Sequence, residues 1–239
     1  MEYNVQSVVL ASDCDNQTKL SVLGAVKIAE DSSCNFLHLL NADGVRMKSE
    51  FNALWVYTKN HTKFFKPLMW NEQFTIKCFV STKTPVRMVV DTALLNSNGE
   101  VAVYSRVELC MIDATTYRLR CIDDNMLNQK IECQQCLCNC DFEKLNFEKP
   151  NTALDSVVIR STNIDYCNHT NNVEYIRFLL NTYTTEQLLN RPIKELQINY
   201  LSQVLEGEKL DIFKQTIQNA DCFEMSVDNK ASVKCKFVF

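Results

Sequence analysis

FFKPLMWNEQFTIKCF, beginning at Phe64, lies naturally over YLSQVLEGEKLDIFKQ, beginning at Tyr200. Each stretch reads as a strand, a break, an acidic turn (Asn71-Glu72 in one, Gly207-Glu208 in the other) and a second strand. A chain that repeats a unit must fold that unit twice and bury whatever one copy leaves uncovered, so a repeat restricts the architecture more than any local motif. Upstream, SDCDNQTKLSVLGAV opens a helix in the first half as NIDYCNHTNNVEYI does in the second. Matching Asp13 to Asp165 puts Gln17 opposite His169, so only the second half carries the imidazole.

The segments follow the same order in both halves. Alternation around Val5, Val8 and Leu10 predicts a strand from Glu2 to Ala11. A helix follows with Thr18 as its N-cap and Leu20, Leu23 and Ala29 on its apolar face; SSCNFLHLL reads as a second short helix, and Gly44 as a loop. Strands are predicted at Ala53 to Phe65, Gln73 to Thr82, Arg87 to Leu95 and Val101 to Ile112, with Asn98-Gly99 as a hairpin signal. From Asp123 to Pro150 the pattern dissolves, which gives a first domain of 1–125, a linker of 126–150 and a second domain of 151–239. There the order returns: a strand near Ser156 to Ser161, a helix over 172–188, then strands at Glu195 to Leu205, Lys209 to Gln218, Phe223 to Val227 and Ser232 to Phe239. A helix wrapped by its own antiparallel sheet leaves an edge and a helix face uncovered, and pairing two such units buries both.

Composition narrows the setting. A net charge of -4, well mixed, gives no reason to expect nucleic acid or an anionic membrane as partner. The amino-terminal stretch lacks a basic, apolar leader and no apolar run approaches a membrane span, so a soluble cytoplasmic protein is expected. Twelve cysteines without a secretory signal do not read as a disulfide framework; Cys34, Cys78, Cys110 and Cys235 read as small core residues. The run Cys133, Cys136, Cys138, Cys140 is either a zinc site or a thiol-rich linker, and its spacing is too tight for the usual two knuckles.

The chemistry concentrates between Arg160 and Tyr183. Val173, Ile176, Leu179 or Leu180 and Tyr183 recur at helical spacing, with Asn171 and Asn172 placed to cap that helix. Ahead of the cap stand Asp165, Cys167 and His169, spaced two apart, which in an extended segment puts all three on one side. A carboxylate, a thiol and an imidazole beside the positive end of a helix suit acyl transfer. His38 reads as packed or surface-exposed and His61 as structural.

The order D-x-x-x-H-x-N-N-x-x-Y, present as Asp165, His169, Asn171, Asn172 and Tyr175, resembles the acyl-acyl carrier protein thioesterases of bacteria and plants. WVYTK at Trp55, Lys66-Pro67 and NSNGEVAVYSRVELCMID at Asn96 extend the resemblance over nearly the whole chain, and the length is similar to a bacterial member. The resemblance implies an α+β tandem hotdog: two long helices, each cradled by an antiparallel β-sheet, with the sheets continuous. The first hotdog would bind the acyl chain and the second would carry the catalytic residues. It implies hydrolysis of fatty acyl thioesters on the phosphopantetheine arm of acyl carrier protein, ending chain elongation without metal or organic cofactor, by a monomer or homodimer. Of the family's Asp, Asn, His and Glu, the Asp falls on Asp165 and the His on His169; Cys167 holds the Asn position, Gln203 the Glu position, and Asn163 stands where an Asp is usual.

Those departures imply a reduced mechanism. An imidazole, which titrates near neutrality, serves as general base at His169, Asp165 orients it, and Gln203 holds the water without taking its proton. Backbone amides at Asn171, Asn172 and Val173 would face the thioester oxygen. A covalent route through Cys167 stays open. An acyl-CoA thioesterase, a hydratase or a non-catalytic acyl-binding protein on the same fold are the alternatives. Lys59, Lys63, Lys66, Arg118 and Arg120 are either a face for the acidic carrier protein or a solvated surface.

Overall fold

A computed structural model describes residues 2–127 and 130–239 and divides the chain into two compact units, 1–141 and 142–239. In unit 1 the strands are β1 (Tyr3–Val8), β2 (Ala53–Phe64), β3 (Gln73–Lys83), β4 (Arg87–Leu95) and β5 (Val101–Asp113). They form an antiparallel run in the order β1-β3-β4-β5-β2. The helices are α1 (Val22–Leu39) and α2 (Gly44–Phe51). In unit 2, β6 (Asp155–Val158), β7 (Glu195–Tyr200), β8 (Lys209–Ile217), β9 (Ala220–Val227) and β10 (Lys230–Val238) repeat that order as β6-β8-β9-β10-β7, with α3 (Asn172–Leu180) and α4 (Thr185–Asn190) after the first strand. Each unit is thus a hotdog built on one strand order. Among the described residues no helix is long and apolar enough to cross a membrane.

The repeat holds bond for bond, at a corrected register. Val9 N–H donates to Glu72 O and Val9 O accepts from Asn71 N–H, as Ile159 N–H donates to Glu208 O and Ile159 O accepts from Gly207 N–H, all at 3.0 Å. The acidic turns are braced alike, Glu72 accepting from Met69 N at 2.8 Å and Glu208 from Leu205 N at 2.7 Å. Upstream, however, Asp15 and not Asp13 is the equivalent of Asp165: Asp15 N–H donates to Lys19 O as Asp165 N–H donates to His169 O. Lys19 therefore stands opposite His169, and Gln17 opposite Cys167. Matching on Asp13 was off by two because both positions are aspartate and only the hydrogen bonds tell them apart.

The helices depart from the sequence reading in ways that packing explains. Thr18 does not cap α1; it sits at the left-handed φ of 59°, and Ser21 accepts from Gly24 N instead. Helix α1 runs unbroken through the segment read as two helices, and its buried stripe is Ala25, Ala29, Ser33, Phe36 and Leu37. Small residues over the first turns let the helix approach β3, β4 and β5, and Ser33 meets Thr92 of β4 at 3.4 Å. Gly24 is obligatory there, since a Cβ would overlap the Asp13 backbone. Gly44 opens a helix rather than a loop, capped by Asp43. In unit 2 the 172–188 helix breaks at residues 181–184, where Tyr183 turns to donate to Asp221 at 2.6 Å and Thr184 recaps α4. The hairpin at Asn98-Gly99 forms with Gly99 at φ 77°.

The segment after β5 contains neither helix nor strand over residues 130–150, yet it is tied down; residues 128 and 129 lie outside the described residues. Its first part straps the face of unit 1 opposite α1. Arg106 donates to Asp91 at 3.0 Å and to Cys140 O at 3.2 Å, His61 meets Asp141 O at 2.7 Å, and Leu137 N donates to Tyr104 OH at 3.0 Å. His61 is structural, as read, and Cys140 is a buried packing residue. Residues 142–150 attach to unit 2, where Gln197 donates to Glu143 O at 2.6 Å and Lys149 lies 4.0 Å over the Phe213 ring. Buried thiols at Cys78, Cys110, Cys222 and Cys235 fill the sheets, and burial pushes Cys78 up to about 12.

Two expectations follow. Asp91 is fully buried and Arg106 nearly so, and a buried charge left without its partner costs about 3–5 kcal/mol. Arg106→Leu should lower the unfolding free energy in urea by that amount, with Asp91→Asn in the same chain recovering part of it. Burial alone would raise the Asp221 carboxyl, but bonds from Lys214, Tyr183 and Thr216 outweigh it and hold the group below its ordinary 3.8. A carboxylate depressed in the folded state stabilises fully at neutral pH and loses that contribution as pH falls below about 4. Asp221→Asn should therefore flatten the acid limb of stability against pH, while lowering stability at pH 7.

Candidate active site

The site is built on the loop between β6 and α3. A short 3-10 turn at Ser161–Asn163 leads into a tight, closed turn, not the extended segment expected. Ile164 and Thr170 form an antiparallel bridge, Asp165 N–H donates to His169 O at 3.0 Å, and Asn168 N–H donates to Asp165 O at 3.1 Å. Asn168 takes the left-handed conformation at φ 65°, which Asn tolerates better than most residues. Asp165 also accepts from Cys167 N at 2.7 Å, an Asx turn that holds its carboxylate in place. The side chains converge because the loop curls around them, and alternation has no part in it.

The result is compact. His169 Nδ1 lies 3.4 Å from Asp165 Oδ2 and 3.4 Å from the Thr170 carbonyl oxygen. The ligand-type atoms of Asp165, Cys167 and His169 all lie within 4.8 Å of one another. The His169 side chain is 32% exposed and that of Asp165 14%, so the imidazole reaches solvent while the carboxylate backs it. With the acid at Nδ1, the basic lone pair is left on Nε2.

Thr170 and Tyr175 anchor this turn, roles that the sequence reading did not assign. Thr170, 1% exposed, donates to the Val204 carbonyl from N at 2.9 Å and from Oγ1 at 2.8 Å. The Tyr175 hydroxyl lies against Thr170 and the Val204 backbone, burial pushes it up to about 12, and its ring meets Tyr200 at 6.0 Å. Their signal was present: Tyr175 closes the D-x-x-x-H-x-N-N-x-x-Y motif one helical turn past the cap.

Gln203 precedes Val204, so the chain brings its backbone beside the turn. It lies in an exposed loop after β7 ends at Tyr200, not on the strand predicted through Leu205. Tyr200 is the last residue in register with β10. Asn171 caps α3, accepting from Val173 N at 2.8 Å, and its own N–H donates to Asn163 O at 2.8 Å. Two of the three amides expected to face a thioester oxygen are thereby engaged, so the oxyanion reading of Asn171 and Val173 is corrected; Asn172 opens the helix half-buried. Asn163 has a local reason to replace Asp: its Nδ2 donates to Glu174 at 2.8 Å, where a second carboxylate would repel.

Other candidates disperse. Lys59 pairs with Glu108, Lys63 donates to Asn139 O, Lys66 pairs with Glu100 and Arg120 donates to Phe51 O, so four of the five basic residues have partners in their own unit, and Arg118 is exposed. His38, largely exposed, pairs with Asp43 at 3.0 Å. Among the described residues Asp165, Cys167 and His169 form the one group of three metal-ligand types this compact, and the Cys133, Cys136, Cys138 and Cys140 run forms none. A cavity of about 420 Å³ at the far end of α3 is lined by Tyr183, Arg191, Lys214 and Phe239 among others; its cations are paired with buried Asp221 at 3.2 and 2.8 Å.

The chain is similar in fold to an acyl-ACP thioesterase from Bacteroides thetaiotaomicron VPI-5482, with TM-score 0.87 and 17% identity over 100% of this chain and 97% of that one. It is similar also to the 12:0-ACP thioesterase from Umbellularia californica, with TM-score 0.85 and 13% identity over 99% and 96%. No curated protein matches the sequence. The family profile of the acyl-ACP thioesterase N-terminal domain matches residues 1–129, and that of the C-terminal domain matches residues 148–238. With both domains present in order over nearly its full length, the chain belongs to the acyl-ACP thioesterases, which are thiolester hydrolases.

Proposed function

We propose that His169 is the general base in the hydrolysis of fatty acyl-acyl carrier protein thioesters that this chain performs. The observation supporting it is the half-exposed imidazole held at a closed turn with Asp165 behind its Nδ1. Water on the Nε2 side gives its proton to the ring as it attacks the thioester carbonyl, and Asp165 stabilises the imidazolium that forms. The ring then returns that proton to the leaving phosphopantetheine thiolate, and the fatty acid departs. Gln203, on the loop fixed by Val204, orients the water. The partial positive charge at the α3 N-terminus favours the developing oxyanion without a dedicated pair of amides. Unit 1, whose equivalent turn presents Lys19 and Gln17, binds the acyl chain and takes no part in the proton transfers.

Cys167 as nucleophile is the second reading, favoured by the proximity of its sulfur to the imidazole. Water is preferred because the same sulfur also lies within 4.8 Å of the Asp165 carboxylate, which opposes a thiolate.

His169→Ala should lower turnover of acyl carrier protein substrates about 10²–10⁴-fold while circular dichroism stays unchanged. Gln203→Ala should cost much less. Cys167→Ser should keep most of the turnover; a loss as deep as that of His169→Ala would move the nucleophile from water to sulfur.

A further inference from the structure

Cysteine at position 167 does more than remove an amide. It completes a set of carboxylate, thiol and imidazole within 4.8 Å, the three ligand types that zinc takes in proteins, often three at a time with a fourth position left to water. Tetrahedral coordination with metal–nitrogen and metal–oxygen bonds of about 2.0–2.1 Å sets two such ligands roughly 3.3–3.4 Å apart. His169 Nδ1 and Asp165 Oδ2 stand 3.4 Å apart. That spacing is beyond the preferred 2.7–3.2 Å of a nitrogen–oxygen hydrogen bond and matches two ligands of one ion. The backbone is already set: Asp165 spends Oδ1 on Cys167 N at 2.7 Å, which leaves Oδ2 toward the ring. The exposed part of the imidazole gives an ion a way in.

We propose that Asp165, Cys167 and His169 bind a zinc-class divalent cation, and that the bound ion switches hydrolysis off. The binding stands on the trio's geometry alone; the switch rests on His169 being the base. Thiolate and imidazole select a soft or borderline cation over magnesium or calcium. On binding, the Cys167 thiol loses its proton to solvent and the Nδ1 lone pair goes to the ion. The single proton of the neutral imidazole then resides on Nε2, the nitrogen that must accept water's proton. A dication against one carboxylate and one thiolate leaves the loaded site neutral. The enzyme is thus active metal-free and silent when loaded, reversibly.

Cobalt(II) added to the metal-free full chain is the probe, because a thiolate ligand gives a charge-transfer absorption that nitrogen and oxygen ligands lack. The band is expected in the wild type, absent in Cys167→Ser, and kept in Cys133→Ser, which alters an exposed thiol elsewhere. Asp165→Asn should weaken binding at least the roughly tenfold that losing even an outer-sphere partner costs. Zinc should suppress wild-type turnover, a chelator should restore it, and Cys167→Ser should resist it. No band, or one unchanged in Cys167→Ser, overturns the site. A Cys167-dependent band with zinc-insensitive turnover overturns the switch alone. A Cys167-dependent cobalt band together with full metal-free turnover in His169→Ala keeps the site and removes His169 as base.

Discussion

One carbonyl fixes the geometry on which the site depends. Val204 O takes two hydrogen bonds from Thr170, from the amide at 2.9 Å and from the hydroxyl at 2.8 Å, which satisfies both its lone pairs. Thr170 is buried, so neither bond can be exchanged for water without leaving a desolvated group unpaired. The residue before Thr170 is His169 and the residue before Val204 is Gln203. A single well-protected junction therefore brings two loops, distant in sequence, to the same place. Tyr175 seals it from the helix side.

The first unit shows what that frame is without the chemistry. Leu68, the counterpart of Val204, accepts from Leu20 N at 2.8 Å, and Asp15 accepts from Gln17 N at 2.8 Å and Lys19 N at 3.0 Å. Leucine at the Thr170 position has no hydroxyl for a second bond, and lysine replaces the imidazole. At the helix start, Gly24 lets the backbone of Asp13 come close, whereas its counterpart Glu174 holds Asn163 by a side-chain bond. The same turn thus serves as packing in one unit and as a site in the other. The difference lies in four or five side chains and not in the backbone.

That division explains what was legible. Strands bounded by turn residues read well: β4 coincides with its predicted bounds, and β3, β5, β8 and β10 differ by a residue or two at an end. The repeat was visible through its acidic turns, Asn71-Glu72 and Gly207-Glu208, each standing between a break and a following strand. Less legible was anything decided by hydrogen bonds across the chain. Two aspartates separated by one residue made the upstream register ambiguous. A helix whose buried stripe is Ala25, Ala29 and Ser33 carries too little hydrophobicity to announce which face is buried. Asn181 to Thr184 break a helical pattern because Tyr183 meets buried Asp221, a partner about 40 residues away. The segment rich in cysteine and asparagine reads as a linker by composition, yet Arg106, His61 and Tyr104 hold it as a strap.

At the site itself the residue types were legible and their reason for meeting was not. Alternation would have placed Asp165, Cys167 and His169 in a row, more than 6 Å between neighbours at strand rise. The Asx turn at Asp165 and the left-handed Asn168 instead fold them within 4.8 Å. This difference matters for the chemistry. A row would let each group act alone, whereas a cluster makes every proton a shared matter. The carboxylate that lies 3.4 Å from the imidazole also opposes charge on the sulfur, and an amide at position 167 would carry no charge for it to oppose. A thiol in place of an amide at position 167 puts an ionisable group where a neutral one would stand, within 4.8 Å of both the imidazole and the carboxylate.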